Sequence, residues 1–294
     1  MRKIIHDCDC TFGIHGCDVD DGLALLYLLG DSEAEVLGIT TTYGNSTLDV
    51  VYPNTKEFLK KIRREDIPVY KGGKDPEDLE NEASRYLAEM AKKHAGELEL
   101  LVTGSVTNLL GAWKYNPEFF KQIKRIVLMG GTTEPLIFAK REMDELNFSC
   151  DPAAAFAVLT SETEVAVITG NNCLKVLFTR EEYDRNLADE SKEVVTFIKN
   201  ETEYWFDDNM NDYGIQGYYN WDAIAAAYMM HPELFNVEKM DYHLSIEALK
   251  KGRLTGCEKG VEKNCTLEIP EIKDEEAFTK NIYDTWGNVK FGLK

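Results

Sequence analysis

HDCDCTFGIHGCDVDDGLALLYLLG, residues 6–30, joins the end of an apolar strand to the start of an apolar helix and crowds the junction with acid. Lys3–Asp7 carries the short apolar run of a buried strand. Asp20–Leu29 has the length of a helix, and Leu23–Leu29 is apolar all round, which predicts burial. Strand, loop and buried helix in that order open a βαβ unit. Asp7 and Asp9 fall at the strand's end, two residues apart and hence on one face. Asp18 is placed to cap the helix, Asp20 and Asp21 sit in its first turn, and Gly30 is expected to end it.

The alternation repeats outward from this unit. Further strands are predicted at Glu35–Thr42, Pro68–Tyr70, Leu98–Val102, Arg125–Met129 and Glu164–Val167. Helices are predicted at Val51–Arg63, Glu82–His94, Pro117–Lys124 and Pro152–Thr160. This is the pattern of an α/β fold, a mostly parallel central sheet with helices on both faces, Rossmann-like and open at its edges. Such sheets bind ligands at the carboxyl ends of their strands. Arg180–Asn209 reads as charged and aromatic helices, and Asp222–Met230 as a compact apolar helix. From Met240 two short strands and a last helix near Asp274–Val289 are expected. No repeat or linker interrupts the chain, so residues 1–294 are expected to form a single domain.

With 33 Lys and Arg against 52 Asp and Glu, the net charge is −19. That excludes nucleic acid as a partner, because phosphate binding needs clustered cations. No apolar run is long enough to cross a membrane. MRKIIHDCDC lacks the apolar core of a secretion signal, which makes a cytoplasmic enzyme the expectation. Seven cysteines in a chain of 294 do not form a disulfide framework. Cys8, Cys10 and Cys17 also lack the paired CxxC spacing of a zinc site.

A helix dipole accounts for one or two of the acids at its start, at about 0.3–1 kcal/mol each. It does not account for Asp7, Asp9, Asp18, Asp20 and Asp21 together. Five carboxylates converging on one strand end call for a cation, and hard oxygen donors favour calcium or magnesium. Asp7, Asp9 and Thr11 also satisfy the DxDxT of haloacid-dehalogenase-like phosphatases, where the first Asp is a nucleophile assisted by magnesium. That reading leaves Asp20 and Asp21 unexplained and finds no downstream lysine to complete its site.

The pair DCD, followed by DD opening an apolar helix, resembles the inosine-uridine-preferring nucleoside hydrolases, whose usual pattern is DxDPGxDD. Residues 10–19, ten in all, stand where that family has three. The excess is expected to loop out at His15 and Gly16, which leaves open whether Asp9 or Asp18 bridges the metal. Further similarities follow in order. GITTTYGNSTLDVVYPNT (38–55) puts Asn45 at the family's ribose-contacting asparagine, and IPVYKGG (67–73) is similar to its third strand. LLVTGSVTNLLGAWKYNPEFFKQIKRIVLMGG (100–131) resembles its GPLTN helix and IVxMGG strand. DELNFSCDPAAA (144–155) resembles its AEFNxxxDPEAA, and NWDAIAAAYMMHPELF (220–235) its HDPLAVAYxxHPELF.

The resemblance implies calcium-dependent hydrolysis of ribonucleosides to free base and ribose. Asp9 becomes the catalytic base and a ligand, with Asp21, the carbonyl of Thr107 and Asp222 completing the calcium site. Asp20, Asn45, Glu145 and Asn147 become the ribose contacts, and Asp7 a supporting carboxylate. Trp221 stands where the family's histidine would protonate the leaving base. Purine-specific relatives have tryptophan there, which implies stacking on a purine. Trp205, Tyr213 and Tyr218 are candidates for a base-side lid, and His15 is the histidine nearest the expected pocket. A homodimer or homotetramer is implied as well. Plainer roles stand beside these: a turn for Asn45, helix caps for Asn108, Asp151 and Asp222, a buried aromatic for Trp221. A nucleoside- or ribose-binding relative without activity is the remaining alternative.

Overall fold

The computed structural model describes residues 1–138, 141–257 and 260–292. In chain order the strands are β1 (Arg2–Cys8), β2 (Ala34–Thr41), β3 (Val69–Lys71), β4 (Leu98–Val102), β5 (Arg125–Met129), β6 (Leu136–Phe138), β7 (Arg141–Met143), β8 (Val165–Ile168), β9 (Phe178–Thr179), β10 (Gly217–Tyr218), β11 (Phe235–Tyr242) and β12 (Cys265–Ile272). The helices are α1 (Asp20–Gly30), α2 (Leu48–Lys61), α3 (Glu82–Lys93), α4 (Thr107–Tyr115), α5 (Phe119–Gln122), α6 (Asn147–Cys150), α7 (Pro152–Leu159), α8 (Gly170–Cys173), α9 (Arg180–Asn186), α10 (Glu193–Thr202), α11 (Tyr204–Tyr213), α12 (Trp221–Met230), α13 (Ile246–Leu249) and α14 (Glu275–Trp286).

Eight strands form one sheet in the order β11-β12-β8-β5-β4-β1-β2-β3. All pairs are parallel except β11 with β12. The chain moves from β1 to β2 and β3 on one side, then returns to lay β4 on the other. Neighbouring crossovers therefore leave on opposite faces at β1 and β4, and a crevice opens beyond their carboxyl ends. The acid-rich junction of residues 7–21 lies at that crevice.

The strand and helix positions expected from periodicity agree with these bounds to within a few residues. Two hairpin-like pairs, β6 with β7 and β9 with β10, were not expected. Their strands are two or three residues long, too short to carry a period. Gly30 also plays another part than the expected stop signal. It remains in α1, and a Cβ there would lie 2.0 Å from the carbonyl oxygen of Thr285 on α14. Close approach of two helices, not a left-handed cap, requires that glycine.

Apolar contacts cover both faces. One face packs α1, α12 and α14 against Ile4 and Cys8 of β1, with Leu23, Leu25, Leu26 and Leu28 buried. The other packs α3, α4 and α7 against Ile5, Leu100 and Val102. β1 is thus clamped on both sides, which fixes where its last residues point. Leu26→Ala deletes three buried heavy atoms from this clamp and should cost about 2–5 kcal/mol, read as a lower denaturation midpoint at an unchanged m-value.

Candidate functional site

At the crevice a cavity of about 340 Å³ is lined by two chemically different walls. One carries Asp18, Asp20, Asn45, Thr103, Glu145, Asn147 and Asp222, and the other carries Leu136, Phe138, Met143, Trp205, Tyr213, Tyr219 and Trp221. The volume suits a small ligand that is polar at one end and flat at the other.

The acidic wall comes from the loops after β2 and β4 and from the starts of α1, α6 and α12. Val19 is the residue before α1, and Asp20 and Asp21 follow it as the first helical residues. Asp222 occupies the same place in α12. α1 and α12 pack side by side, so their first turns bring Asp20, Asp21 and Asp222 within 4.8 Å of one another, all buried. Asp222 donates its backbone N–H to Asp20 Oδ2 at 3.4 Å and caps nothing. Asp9, one residue beyond β1, lies just behind this wall. It accepts the backbone N–H of Asn45 at 2.5 Å, and Asn45 Nδ2 reaches both Asp9 Oδ1 and Asp21 Oδ2 at 3.3 and 3.4 Å. The loop can come this close because residue 44 is glycine, where a Cβ would sit 1.9 Å from Asp9 Oδ2.

Burial raises the carboxyls of Asp9, Asp18, Asp20, Asp21 and Asp222, and their mutual repulsion adds to it. Glu145 is pushed up to about 7 by burial, although the backbone N–H groups of Asn147 and Phe148 hold it. Among the described residues no Lys or Arg lines the cavity. A divalent cation is the partner such a group lacks, and its oxygen-only donors suit a hard ion. His6, Cys8 and Asp21 form a second close group. There burial keeps the thiol neutral, and Asp21 is shared with the first.

Several expected residues lie elsewhere. Asp7 is on the opposite face of β1, where Thr40 and Asn108 donate to its Oδ2 at 2.5 and 2.8 Å. It is buried and does not line the cavity, and neither do Asp9 and Asp21, which lie one layer behind the acidic wall. Asp18 accepts the N–H of Val19 without capping α1, and it faces the cavity beside Asp20. His15 is exposed and stacks on Tyr204 at 4.2 Å, outside the cavity wall. Tyr218 is fully buried against Phe178 and Phe206, and its neighbour Tyr219 faces the cavity instead. The hydroxyl of Thr107, at the start of α4, donates to Asp151 at 2.7 Å. Asn108 ties loops together through Gly73 and Thr41, whereas Asp151 does cap α7.

Thr103, Phe138, Tyr219 and Asn209 were not anticipated. Thr103 follows β4 directly, donates to Asp21 Oδ1 at 2.6 Å and accepts Asn147 Nδ2 on its carbonyl at 3.2 Å. Its position after a predicted parallel strand was the available signal. Phe138 lies within 4.6–6.2 Å of Tyr213, Tyr219 and Trp221. In the loop of residues 10–19 His15 and Gly16 are exposed, Cys10, Thr11, Phe12 and Val19 are buried, and Gly16 and Cys17 complete the wall. Tyr204 pins it by donating to the carbonyls of Ile14 and Cys17, and Asp208 accepts the N–H of Gly16 at 3.1 Å. All seven cysteines are free thiols. No helix among the described residues is long and apolar enough to cross a membrane.

Residues 4–280 match the family model of the inosine-uridine preferring nucleoside hydrolases. By sequence the chain is similar to the probable uridine nucleosidase 2 of Arabidopsis thaliana, 28% identical over 269 residues covering 80% of this chain and 79% of that protein. It is also similar to the pyrimidine-specific ribonucleoside hydrolase RihB of Escherichia coli (strain SE11), 24% identical, with 84% of each chain covered. By structure it is similar to the plant nucleoside hydrolase PpNRh1, with a TM-score of 0.84, 20% identity and 97% and 99% of the two chains covered. The purine-preferring ribonucleoside hydrolase from Gardnerella vaginalis gives 0.83 at 24% identity, covering 98% and 99%. At these identities the two structures bear on the fold.

The raised carboxyls fix how stability should vary with pH. Their folded values lie above the unfolded ones, so their contribution is present below about pH 4. It is lost as pH rises through about 7, the value to which burial pushes Asp7 and Glu145. Chelator-treated protein should therefore lose thermal stability across that window. Calcium should restore more of it at about pH 7.5 than at about pH 5. A melting temperature that climbs through the window without calcium would contradict a buried carboxylate site.

Proposed function

The chain belongs to the inosine-uridine preferring nucleoside hydrolase family, and on that premise we propose that it hydrolyses the N-glycosidic bond of ribonucleosides with calcium as cofactor. The observation that carries this reading is the two-walled cavity, with ribose-compatible carboxylates and amides on one side and flat aromatics on the other. Asp20, Asp21 and Asp222 would hold the cation, with Asp9 behind them and the carbonyl of Thr107 as a further oxygen. A bound divalent ion supplies a binding point for a sugar diol and makes a neighbouring water more acidic.

The chain's own groups would do the rest. Asp9 takes the proton of the water attacking C1′, its carboxylate oriented by two donors from Asn45. Asp20, Asn45, Glu145 and Asn147 bind ribose hydroxyls and favour the flattened, oxocarbenium-like sugar. Trp221, Tyr219, Phe138 and Tyr213 form the surface that receives the base. Their extent favours a two-ring base, so a purine preference is part of the proposal. The relatives named for uridine and pyrimidines make that preference the point most open to test. A homodimer or homotetramer is proposed with it, checked by light scattering in solution.

Release of base and ribose from inosine, adenosine, guanosine, uridine and cytidine, with calcium and with chelator, tests the reading. Turnover that is lost with chelator and fastest on a purine nucleoside is expected. Asp9→Asn should lower kcat by about 10²–10⁴-fold, while Asp222→Asn should weaken calcium binding by about 100-fold or more. No release from any of the five with calcium present would end it.

A further inference from the structure

His6 stands in the middle of the sheet, at the centre of β1, paired across to Ile39 and Leu101. It is fully buried, close to Cys8 and Asp21, an expensive place for an imidazole without a task. Its Nε2 lies 2.8 Å from Thr103 Oγ1, and Thr103 Oγ1 lies 2.6 Å from Asp21 Oδ1. Its Nδ1 has no partner.

The hydroxyl of Thr103 has one proton to give, and in the ionised form that binds a cation each oxygen of Asp21 is acceptor only. Thr103 therefore donates to Asp21, and what reaches it from behind has to be a donor. That assigns the proton of the neutral ring to Nε2 and leaves Nδ1 a bare lone pair, in keeping with its lack of a partner. We propose that His6 is a positioning residue for the cation site, acting through the chain His6 Nε2–H to Thr103 Oγ1–H to Asp21 Oδ1. The chain takes one oxygen of Asp21 out of play and aims the other at the site. It also steadies Thr103, whose carbonyl holds the Asn147 side chain. Asp21 and Asn147 are thereby set by one buried ring from the strand before them. Outer partners of this kind tune metal affinity without touching the metal. The role of His6 rests on the cation reading of the site, while its tautomer does not.

Two measurements test it. Long-range ¹⁵N NMR of the metal-free full-length protein should find His6 neutral with its proton on Nε2, and a proton on Nδ1 would overturn the chain whether or not calcium binds. Calorimetric titration with calcium should find His6→Leu and Thr103→Val each weaker by about 10-fold or more, and His6→Gln, which keeps a donor at the same reach, within about threefold of the parent. The double variant His6→Leu with Thr103→Val should be no weaker than Thr103→Val alone, because both break one chain. Losses that multiply, or a His6→Leu protein with parental affinity, would overturn the proposal. Should His6→Leu not fold, His6→Gln and the parental tautomer decide it. A parent that binds no divalent ion would sink the cofactor reading instead, with the NMR result still ruling on the chain.

Discussion

Like charge buried without a cationic side chain is the constraint on which this molecule is arranged. Asp9, Asp20, Asp21 and Asp222 lie together at the carboxyl end of the sheet, all buried, and repel one another. Such a group persists only if the surrounding structure holds it by force of packing. The two apolar faces of β1 and the paired helices α1 and α12 do so. The neutral donors Asn45, Thr103 and the backbone N–H groups soften the repulsion without cancelling the charge. The net charge is left for a ligand to neutralise, which is why a stable scaffold and an electrostatically strained site occur in one place.

The topology follows the same logic. A parallel sheet exposes its strand ends where the crossovers reverse direction, and here the reversal falls between β1 and β4. Asp9 follows the first of these strands and Thr103 the second, so two segments distant in sequence meet at one point.

The sheet and the acids at the start of α1 were legible in the sequence because both rest on local patterns, whereas Asn45, Glu145, Asn147 and Asp222 stood out through the family resemblance. Apolar runs separated by helical periods identify β1, β4 and β5, and two consecutive acids before an apolar helix identify Asp20 and Asp21. What escaped depends on contacts between distant segments. That Asp7 turns to Thr40 and Asn108 while Asp9 turns to Asn45 reflects the strand ending between them, which alternation alone does not locate. Tyr218 and Tyr219 exchange places because β10 is two residues long, and one residue decides which side chain faces in. Thr103 lies between β4 and α4, and only the turn geometry there brings its hydroxyl to Asp21. Gly30 looked like a stop signal, and only the presence of α14 explains it.

The two walls of the cavity are built on different foundations, and that difference bears on how substrate choice can vary. Strand ends and the first turns of buried helices hold the acidic wall, so moving one carboxylate disturbs the core itself. The aromatic wall hangs on α11, the short strands β6 and β10, and the loop of residues 10–19, which join one another at the mouth of the cavity and reach the core through Phe12, Phe206 and Tyr218. Residues there can be exchanged at little cost to the sheet. A catalytic half fixed by the core and a recognition half carried by the periphery would let one fold serve different bases. Relatives named for uridine and for purines on a shared fold are what that division leads one to expect. On the same grounds the loop of residues 10–19 belongs to recognition. It leaves Asp9 and Asp21 within reach of one amide, Asn45, while adding Gly16, Cys17 and Asp18 to the mouth of the cavity.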